Sequence, residues 1–307
     1  MQSSLLGKVR RKLSRKPHQS EPASCSNSAC TTPEEPAAAA AAERRSSTSS
    51  QLQCLLFGKL SAELRLLIYA YALGDPIRPM HIIPFKRGSP EVAHSRCYDM
   101  QSPLPSWQHH CFGQTGYSMQ HHSSPLRVND NILSLLLTCR IIYTEALTTL
   151  YSTNIFDFKG SRCFLTWSSH LPSTHLSAVR HIRISTVFYA PMRNWSGFAA
   201  NTFPPENLDY WQSLCTQLAQ LADLATLRSL RVEIIVKTDM PQGQDRAKLL
   251  ADGELLPIFE PLKRIRLVDF VVETNTNIAE AMGELLGDVR FQVVGRAKPY
   301  NEKSFSY

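Results

Sequence analysis

Several features that would place a chain in a familiar class are missing from this sequence. No run approaches the roughly 18–20 consecutive apolar residues that span a bilayer. No apolar segment follows the basic start, so we expect no secretory signal. The motifs that bind nucleotide phosphates or dinucleotides, the nucleophile elbow and the zinc-protease helix are also missing. We therefore predict a soluble protein that is not an enzyme and binds no cofactor.

The eight cysteines lack the spacing of a disulfide framework. They are scattered along 307 residues, and in a chain without a secretory signal they are expected to remain reduced thiols. This pattern predicts a cytoplasmic or nuclear location.

Positive charge is concentrated at the start of the chain. Residues 1–50 contain eight Lys or Arg against four Glu, so they carry +4 of the total formal charge of +7. Six of these cations lie in Lys8–Lys16, and the residues after them are rich in Ser, Pro and Ala. Because this composition buries too little apolar surface to offset the entropy of ordering, residues 1–51 are predicted to be a disordered tail. The basic cluster is a solvated arm, a nuclear import signal, a segment that binds an anionic membrane surface or a mitochondrial-type presequence.

Apolar residues become frequent after residue 51, and residues 52–307 are expected to form one α/β (or α+β) domain. Its first part, 52–160, has helical patterns and a long loop over 86–127. Its second part, 161–307, is expected to be an irregular strand–helix repeat around a small sheet. A strand over Ile77–Phe85 is expected at the edge of a sheet, because it contains Pro79 and Pro84.

Two helices are predicted in the first part. The first begins at Ser61, a good N-cap, and ends at Gly74. Its apolar stripe, which we expect to dock on the core, comprises Leu64, Leu67, Ile68 and Tyr71. The second helix is capped by Asn129 or Asp130. Its apolar stripe comprises Ile132, Leu135, Leu136, Cys139, Tyr143, Ala146, Leu147 and Leu150.

Both helical segments carry a resemblance to a known family. Phe57–Tyr69 (FGKLSAELRLLIY) resembles the L-P-x-E-L-R-x-x-I-Y opening of many fungal F-box-like proteins. Leu135–Phe158 (LLLTCRIIYTEALTTLYSTNIFDF) is similar to the LLLTCRxIYxEAxxLLYSTNxFxF signature of a large fungal family described only as a domain of unknown function. The resemblance covers roughly residues 57–160 well and the remaining residues loosely.

The resemblance implies a partner. In F-boxes the opening helix and the next two helices bind the Skp-type adaptor of a cullin ubiquitin ligase, and Leu60, Leu64 and Ile68 match apolar contact positions of that pattern. The chain departs from the pattern at Ser61, where a proline is usual, and in the more than fifty residues that separate the two blocks. The three apolar residues are therefore either an adaptor-binding surface or part of the core of this protein alone.

The predicted loop is rich in possible metal ligands, which are His94, Cys97, His109, His110, Cys111, His121 and His122. Cys97, Cys111 and two of the histidines could hold zinc in a tetrahedral array. The spacing matches no standard zinc knuckle, so we predict no metal site and keep zinc as the alternative. Trp107, Phe112 and Tyr117 indicate that part of the loop packs on the body.

In the second part an arginine between two apolar residues recurs in four short segments, which are His181–Ile184, Ser229–Val232, Arg264–Leu267 and Asp288–Phe291. This alternation predicts strands with one buried face. Helices are predicted between them, over Pro205–Ala222, Gly253–Phe259 and Asn277–Leu286. In register, the strands would align Arg183, Arg231, Arg266 and Arg290. Such a ladder either binds an acidic partner or a nucleic acid, or it is a solvated face balanced by Glu233 and Asp269.

The pattern as a whole favours a non-enzymatic protein-interaction module, with a substrate receptor of a cullin-type ubiquitin ligase as its specific form. The alternative is a nuclear metal- or nucleic-acid-associated factor that uses the His/Cys-rich loop and the basic tail.

Overall fold

The computed structural model describes residues 54–84, 92–109, 111, 132–190, 206–238 and 253–296. These residues belong to one compact unit, 49–307. The predicted tail, most of the predicted loop, and the candidate cap residues Asn129 and Asp130 lie outside the described residues.

The described helices and strands follow one another along the chain. The α-helices are α1 (Leu55–Gly58), α2 (Ala62–Leu73), α3 (Ile132–Leu136), α4 (Arg140–Thr153), α5 (Ser161–Ser169), α6 (Ser173–Leu176), α7 (Leu208–Asp223), α8 (Leu256–Phe259) and α9 (Thr276–Leu286). The strands are β1 (Met80–Pro84), β2 (Val92–Arg96), β3 (Ile155–Lys159), β4 (His181–Ala190), β5 (Ser229–Thr238), β6 (Asp269–Asn275) and β7 (Gln292–Arg296). Short 3₁₀ helices occupy Ser106–Gln108 and Glu260–Arg264.

In the described part of the chain, seven strands form one sheet in the order β2–β1–β3–β4–β5–β6–β7. β1 and β2 are antiparallel, and all other neighbours are parallel. From β3 onward the order in the sheet is the order in the chain. Because parallel crossovers are right-handed, such an order places successive helices on the same face of the sheet. The predicted α/β class is confirmed, and the sheet is larger than expected.

The main core lies between the helices and one face of the sheet. Alternate strand residues point into it, including Phe158, Ile184, Val232 and Val272. The opposing helices contribute the largest buried side chains, among them Tyr69, Phe164 and Trp211. The indole nitrogen of Trp211 donates a hydrogen bond to the carbonyl of Ile258 at 2.7 Å, so even this polar atom is satisfied in the core.

The other face of the sheet is crossed by residues 97–109 and 111, here called the crossing segment. Its Trp107 packs with Val187, Tyr189 and Ile235 in a second, smaller apolar cluster. The prediction that Trp107 packs on the body is therefore confirmed, whereas Phe112 and Tyr117 lie outside the described residues.

Polar groups also hold the crossing segment. The backbone nitrogen of Ser106 donates to Glu233 on β5 at 2.8 Å, and its hydroxyl donates to Asp157 on β3 at 3.0 Å. Both carboxylates are completely buried, so each donor replaces water that these groups would otherwise require.

Three strand predictions are wrong in detail. β1 is an inner strand, because β2 pairs with its outer side. Pro79 directly precedes this strand and Pro84 is its last residue, so the prolines lie at its two ends. The segments Arg264–Leu267 and Asp288–Phe291 precede β6 and β7. Buried residues in these connections, such as Ile265 and Phe291, produce the alternation that predicted strands.

The arginine ladder is consequently shorter than predicted. Arg183 and Arg231 are direct neighbours on β4 and β5, but Arg266 and Arg290 lie outside the strands. The two aligned arginines are balanced by Glu233 and Glu273 rather than by Asp269, at 2.8 and 3.2 Å respectively.

The second predicted helix is broken into α3 and α4. Cys139 is the N-cap of α4, and its sulfur accepts a hydrogen bond from the backbone nitrogen of Ile142 at 3.4 Å. Cys139 also packs against the core, whereas Tyr143, which was predicted in the apolar stripe, is exposed.

Candidate metal centre and candidate partner-binding face

Four potential metal ligands meet where the crossing segment begins and ends. His81 lies on β1, whose neighbouring residues Met80 and Ile82 point into the core, so alternation turns His81 to the other face. Cys97 directly follows β2, and its backbone nitrogen bonds to the carbonyl of Pro79 at 2.8 Å beside β1. The short 3₁₀ helix Ser106–Gln108 then turns the chain back toward this pair. Two further ligands, His109 and Cys111, follow it and join His81 and Cys97.

The four side chains form a compact buried cluster. One ligand atom from each of His81, Cys97, His109 and Cys111 lies within 4.8 Å of all the others. These residues are between 0% and 6% exposed. The cysteines are free thiols with their sulfurs 3.7 Å apart, and Cys97 Sγ lies 3.4 Å from His109 Nδ1.

These separations fit the edges of a tetrahedron around zinc. With Zn–S of about 2.3 Å and Zn–N of about 2.0–2.1 Å, tetrahedral geometry requires about 3.8 Å between two sulfurs and about 3.6 Å between sulfur and nitrogen. The observed separations of 3.7 and 3.4 Å are close to both values. Cys₂His₂ is a common donor set of structural zinc sites.

Hydrogen-bonding groups outside the cluster orient both histidines. His81 Nδ1 lies 2.7 Å from a carboxylate oxygen of the buried Asp157, which leaves Nε2 as the nitrogen for the cluster. His109 Nε2 lies 3.2 Å from the carbonyl of Leu104, so Nδ1 is turned to the cluster. Metal-bound histidines usually donate their second nitrogen to a carboxylate or a carbonyl, as in this arrangement.

The cluster also favours a thiolate. The hydrogen bond from Cys97 is the main cause that lowers the pKa of Cys111, and hydrogen bonds from His109, His81 and the backbone of Tyr98 add to it. The same bond to Cys111 raises the pKa of Cys97. Burial would lower the pKa of His81, but hydrogen bonds to Asp157 and Cys111 outweigh it and raise the pKa to about 9. Since the thiolate is the form that ligates metals, the surroundings of Cys111 suit that role.

A second candidate site lies on α2, which packs on the body through one side. Tyr69 and Leu73 on this side are completely buried. Arg65 pairs with Glu145 of α4 at 2.6 Å, and the hydroxyl of Tyr69 donates to the same carboxylate at 3.1 Å. These contacts fix the rotation of α2 about its own axis.

The opposite side of α2 is an exposed apolar stripe. Leu64, Leu67, Ile68 and Tyr71 are 49%, 56%, 43% and 89% exposed, respectively. At 100° per residue this stripe lies about 150° around the helix from the packed side. The prediction that the stripe docks on the core is therefore wrong, because Tyr69 and Leu73 occupy that position instead. Of the three predicted adaptor contacts, Leu64 and Ile68 are exposed and Leu60 is half-buried.

Residues 49–275 match the family model described as a domain of unknown function, DUF7730. The chain belongs to the DUF7730 family. The matched part of this domain contains all four clustered ligands, α2 and α4, and it ends before β7. Comparisons with curated proteins and with solved structures found no significant match. Among the described helices of this DUF7730 protein, none has both the length and the apolar character needed to cross a membrane.

The sequence-predicted ligands divide into three groups. Cys97, Cys111 and one loop histidine, His109, meet in the DUF7730 domain, whereas the zinc alternative required two loop histidines. His94 lies on β2 opposite Ile82 and is not part of the cluster. The remaining candidates, His110, His121 and His122, lie outside the described residues.

His81 was missed, since it lies outside the predicted loop. The sequence nevertheless contained a signal for this ligand. His81 lies in a predicted strand between two apolar residues, and strand alternation turns its side chain to the face opposite theirs.

Proposed function

We propose that this DUF7730 protein is a non-enzymatic protein-interaction module that binds its partner through the exposed stripe of α2. The observation that carries the proposal is the exposure of four large apolar side chains on one helix face. Their spacing of i, i+3, i+4 and i+7 is the pattern with which a helix inserts into an apolar groove of a partner. Further apolar side chains are exposed at Leu133 of α3, at Leu137 directly after it and at Tyr143 of α4.

The partner that fits the F-box-like resemblance is a Skp-type adaptor, which would make the protein a substrate receptor of a cullin-type ubiquitin ligase. Leu64 and Ile68, two of the residues that match the adaptor contacts, belong to the exposed stripe. Ser61, where the pattern has proline, has a φ of −65°, the value that proline itself imposes. The backbone at this position therefore accommodates either residue.

The long insertion between the two resembling blocks is compatible with this proposal. α2 and α4 contact each other directly through Arg65 and Glu145, 80 positions apart in the chain. The residues between them include β1, β2 and the crossing segment, all of which lie on the sheet. The insertion therefore does not separate the two helices.

Nucleic-acid binding by the body is less well supported. The arginines aligned on β4 and β5, Arg183 and Arg231, each pair with a carboxylate of the same sheet face. Cations neutralised in this way contribute little to binding a phosphate backbone, which depends on uncompensated positive charge.

Binding to a purified fungal Skp-type adaptor, measured by titration calorimetry on the full-length chain, tests the proposal. We expect the double variant Leu64→Asp, Ile68→Asp to weaken binding at least about 30-fold, because central apolar anchors of an interface contribute about 2 kcal/mol or more. Both positions are exposed, so the variant should keep the wild-type circular dichroism and melting temperature.

The matched control is Val268→Asp, which places the same charge at a fully exposed apolar residue before β6. This variant should bind the adaptor like the wild type. The absence of binding by the wild-type chain would reject the adaptor as the partner. Equal binding by the wild type and the folded double variant would reject the α2 stripe as the interface.

A further inference from the structure

The buried cluster of the crossing segment has the properties of a closed metal site. We propose that His81, Cys97, His109 and Cys111 bind one zinc ion. This ion attaches the crossing segment to the face of the sheet opposite the main core. This proposal is independent of the adaptor-binding stripe, and it replaces the sequence prediction that the chain has no metal site.

Charge balance supports a divalent cation at this position. Two thiolates and two neutral imidazoles around Zn²⁺ give a neutral unit, and burying a neutral unit costs far less than burying separate charges. The carboxylate of Asp157 lies outside this unit, where it accepts from the Ser106 hydroxyl and faces His81. Burial would lower the pKa of the Arg183 guanidinium, but the charge of Glu233 and then that of Asp157 raise it, so Asp157 also interacts with this arginine.

The chemical type of the ligands determines which metal ion binds, and their number determines whether the site is structural or catalytic. Thiolate and imidazole ligands favour zinc over magnesium or calcium, which take oxygen ligands. Four protein ligands complete a tetrahedron and leave no position for a substrate or a reactive water. The site is therefore structural rather than catalytic.

The positions of the ligands show what the ion would hold together. Cys97 lies at the start of the crossing segment, His109 and Cys111 lie at its end, and His81 belongs to β1. A single ion thus closes the segment into a loop and attaches both of its ends to the sheet. Between these ends, Ser106 and Trp107 contact the sheet directly.

Metal content and X-ray absorption of the wild-type chain provide the first test. The full-length protein is produced without a histidine tag in zinc-supplemented medium and purified under reducing conditions. We expect about one zinc ion per chain, with two sulfur ligands at about 2.3 Å and two nitrogen ligands at about 2.0–2.1 Å. Cobalt(II) in place of zinc should give the sulfur-to-metal charge-transfer band and the intense visible bands of a tetrahedral site.

Variants identify the ligands. His81→Asn and Cys97→Ser should each lower the zinc content at least tenfold. His94→Asn and Cys54→Ser are the matched controls, because they change a neighbouring histidine and an exposed cysteine outside the cluster. Both controls should retain about one zinc ion.

Three results would overturn the proposal. The first is a wild-type chain that contains less than a tenth of an equivalent of zinc after reconstitution with zinc alone. The second is a metal shell without two sulfurs, and the third is equal zinc in the folded ligand variants and the wild type. If the ligand variants do not fold, the X-ray absorption and cobalt spectra of the wild type still test the proposal. These spectra identify the donor atoms around the metal without any substitution.

Discussion

Glu233 is a carboxylate enclosed between the sheet and the crossing segment. It accepts hydrogen bonds from Arg183 at 2.8 Å, from Arg296 at 3.1 Å and from the Ser106 backbone at 2.8 Å. Burial alone would raise its pKa, but the charges of the two arginines and the hydrogen bonds lower the pKa below its ordinary value. Glu273 shares Arg296 with it at 2.8 Å, so the group is a network rather than a single pair.

We expect Glu233→Gln to lower the free energy of unfolding by about 1–3 kcal/mol at pH 7, because the half-buried Arg183 loses its charged partner while Arg296 keeps Glu273. A lowered pKa means that the stabilisation by Glu233 is present above the unfolded pKa of about 4.3 and is lost as the pH falls through the folded pKa. The difference between wild type and variant should therefore shrink in acid. Urea denaturation at several pH values measures both effects.

Asp223→Asn is the control for this experiment, because Asp223 is exposed at the end of α7. It should change stability by no more than about 0.5 kcal/mol. A difference between wild type and Glu233→Gln that stays constant with pH would show that the charge of Glu233 does not stabilise the fold.

At the residue scale, the sequence predicted no metal site, but the seven candidate ligands of its zinc alternative include three of the four clustered residues. Cys97, His109 and Cys111 were candidates because His and Cys are concentrated in the predicted loop. His81 becomes a partner only through the pairing of β1 with its neighbours, which residue composition does not specify. For α2, periodicity found an apolar stripe, but the helix also carries Tyr69 and Leu73, and periodicity does not decide which side meets the core.

At the scale of elements, the strands differ in how far the sequence predicts them. β4 and β5 begin where the alternating pattern begins, at His181 and Ser229. The sequence places β6 and β7 too early, because buried residues in the preceding connections imitate strand alternation. Local patterns therefore predict that a strand exists more reliably than they predict its first residue.

Two glycines near helix ends should respond to alanine in opposite ways. A Cβ atom at Gly74, the C-cap of α2, would lie 2.6 Å from the carbonyl oxygen of Ala70 and 2.8 Å from Thr153 Oγ1 on α4. Gly74→Ala should therefore lower the free energy of unfolding by about 1–3 kcal/mol, as overpacking does. A Cβ at Gly283 in α9 would meet no atom within 4 Å, so Gly283→Ala should raise stability by about 0.5–1 kcal/mol.

Chemical denaturation of both glycine variants at pH 7 gives the comparison. If Gly74→Ala is as stable as the wild type, α2 and α4 do not approach as closely as the structure shows. Gly283→Ala serves as its control, because it makes the same chemical change in an open position.

At the scale of the whole molecule, the sheet is covered unequally. The parallel order of strands places the helices and the main core on one face, and the crossing segment rests on the other with a small apolar cluster. The strand–helix alternation predicted an α/β fold of this kind. It did not predict that β1 and β2 extend the same sheet. The packing of part of the loop on the body was predicted from aromatic residues such as Trp107 and not from this alternation.

Loss of zinc should release the crossing segment without unfolding the sheet. Chelation of the metal, or Cys97→Ser, should increase amide hydrogen exchange over residues 98–108 while β4, β5 and β6 remain protected. The expectation follows from the separate core of these strands, which contains none of the four ligands. Hydrogen exchange read by mass spectrometry measures it, and simultaneous loss of protection in all strands would contradict it.

The hydrogen bond between Ser106 and Glu233 has a consequence for synthesis of the chain. These residues are 127 positions apart, so at about 5–20 residues per second the donor is made about 6–25 s before its acceptor. All four metal ligands precede Ile132, and they too are translated long before β5 exists. A nascent chain can thus acquire its ion while the second half is still being translated, which would shield both thiols from oxidation during that interval.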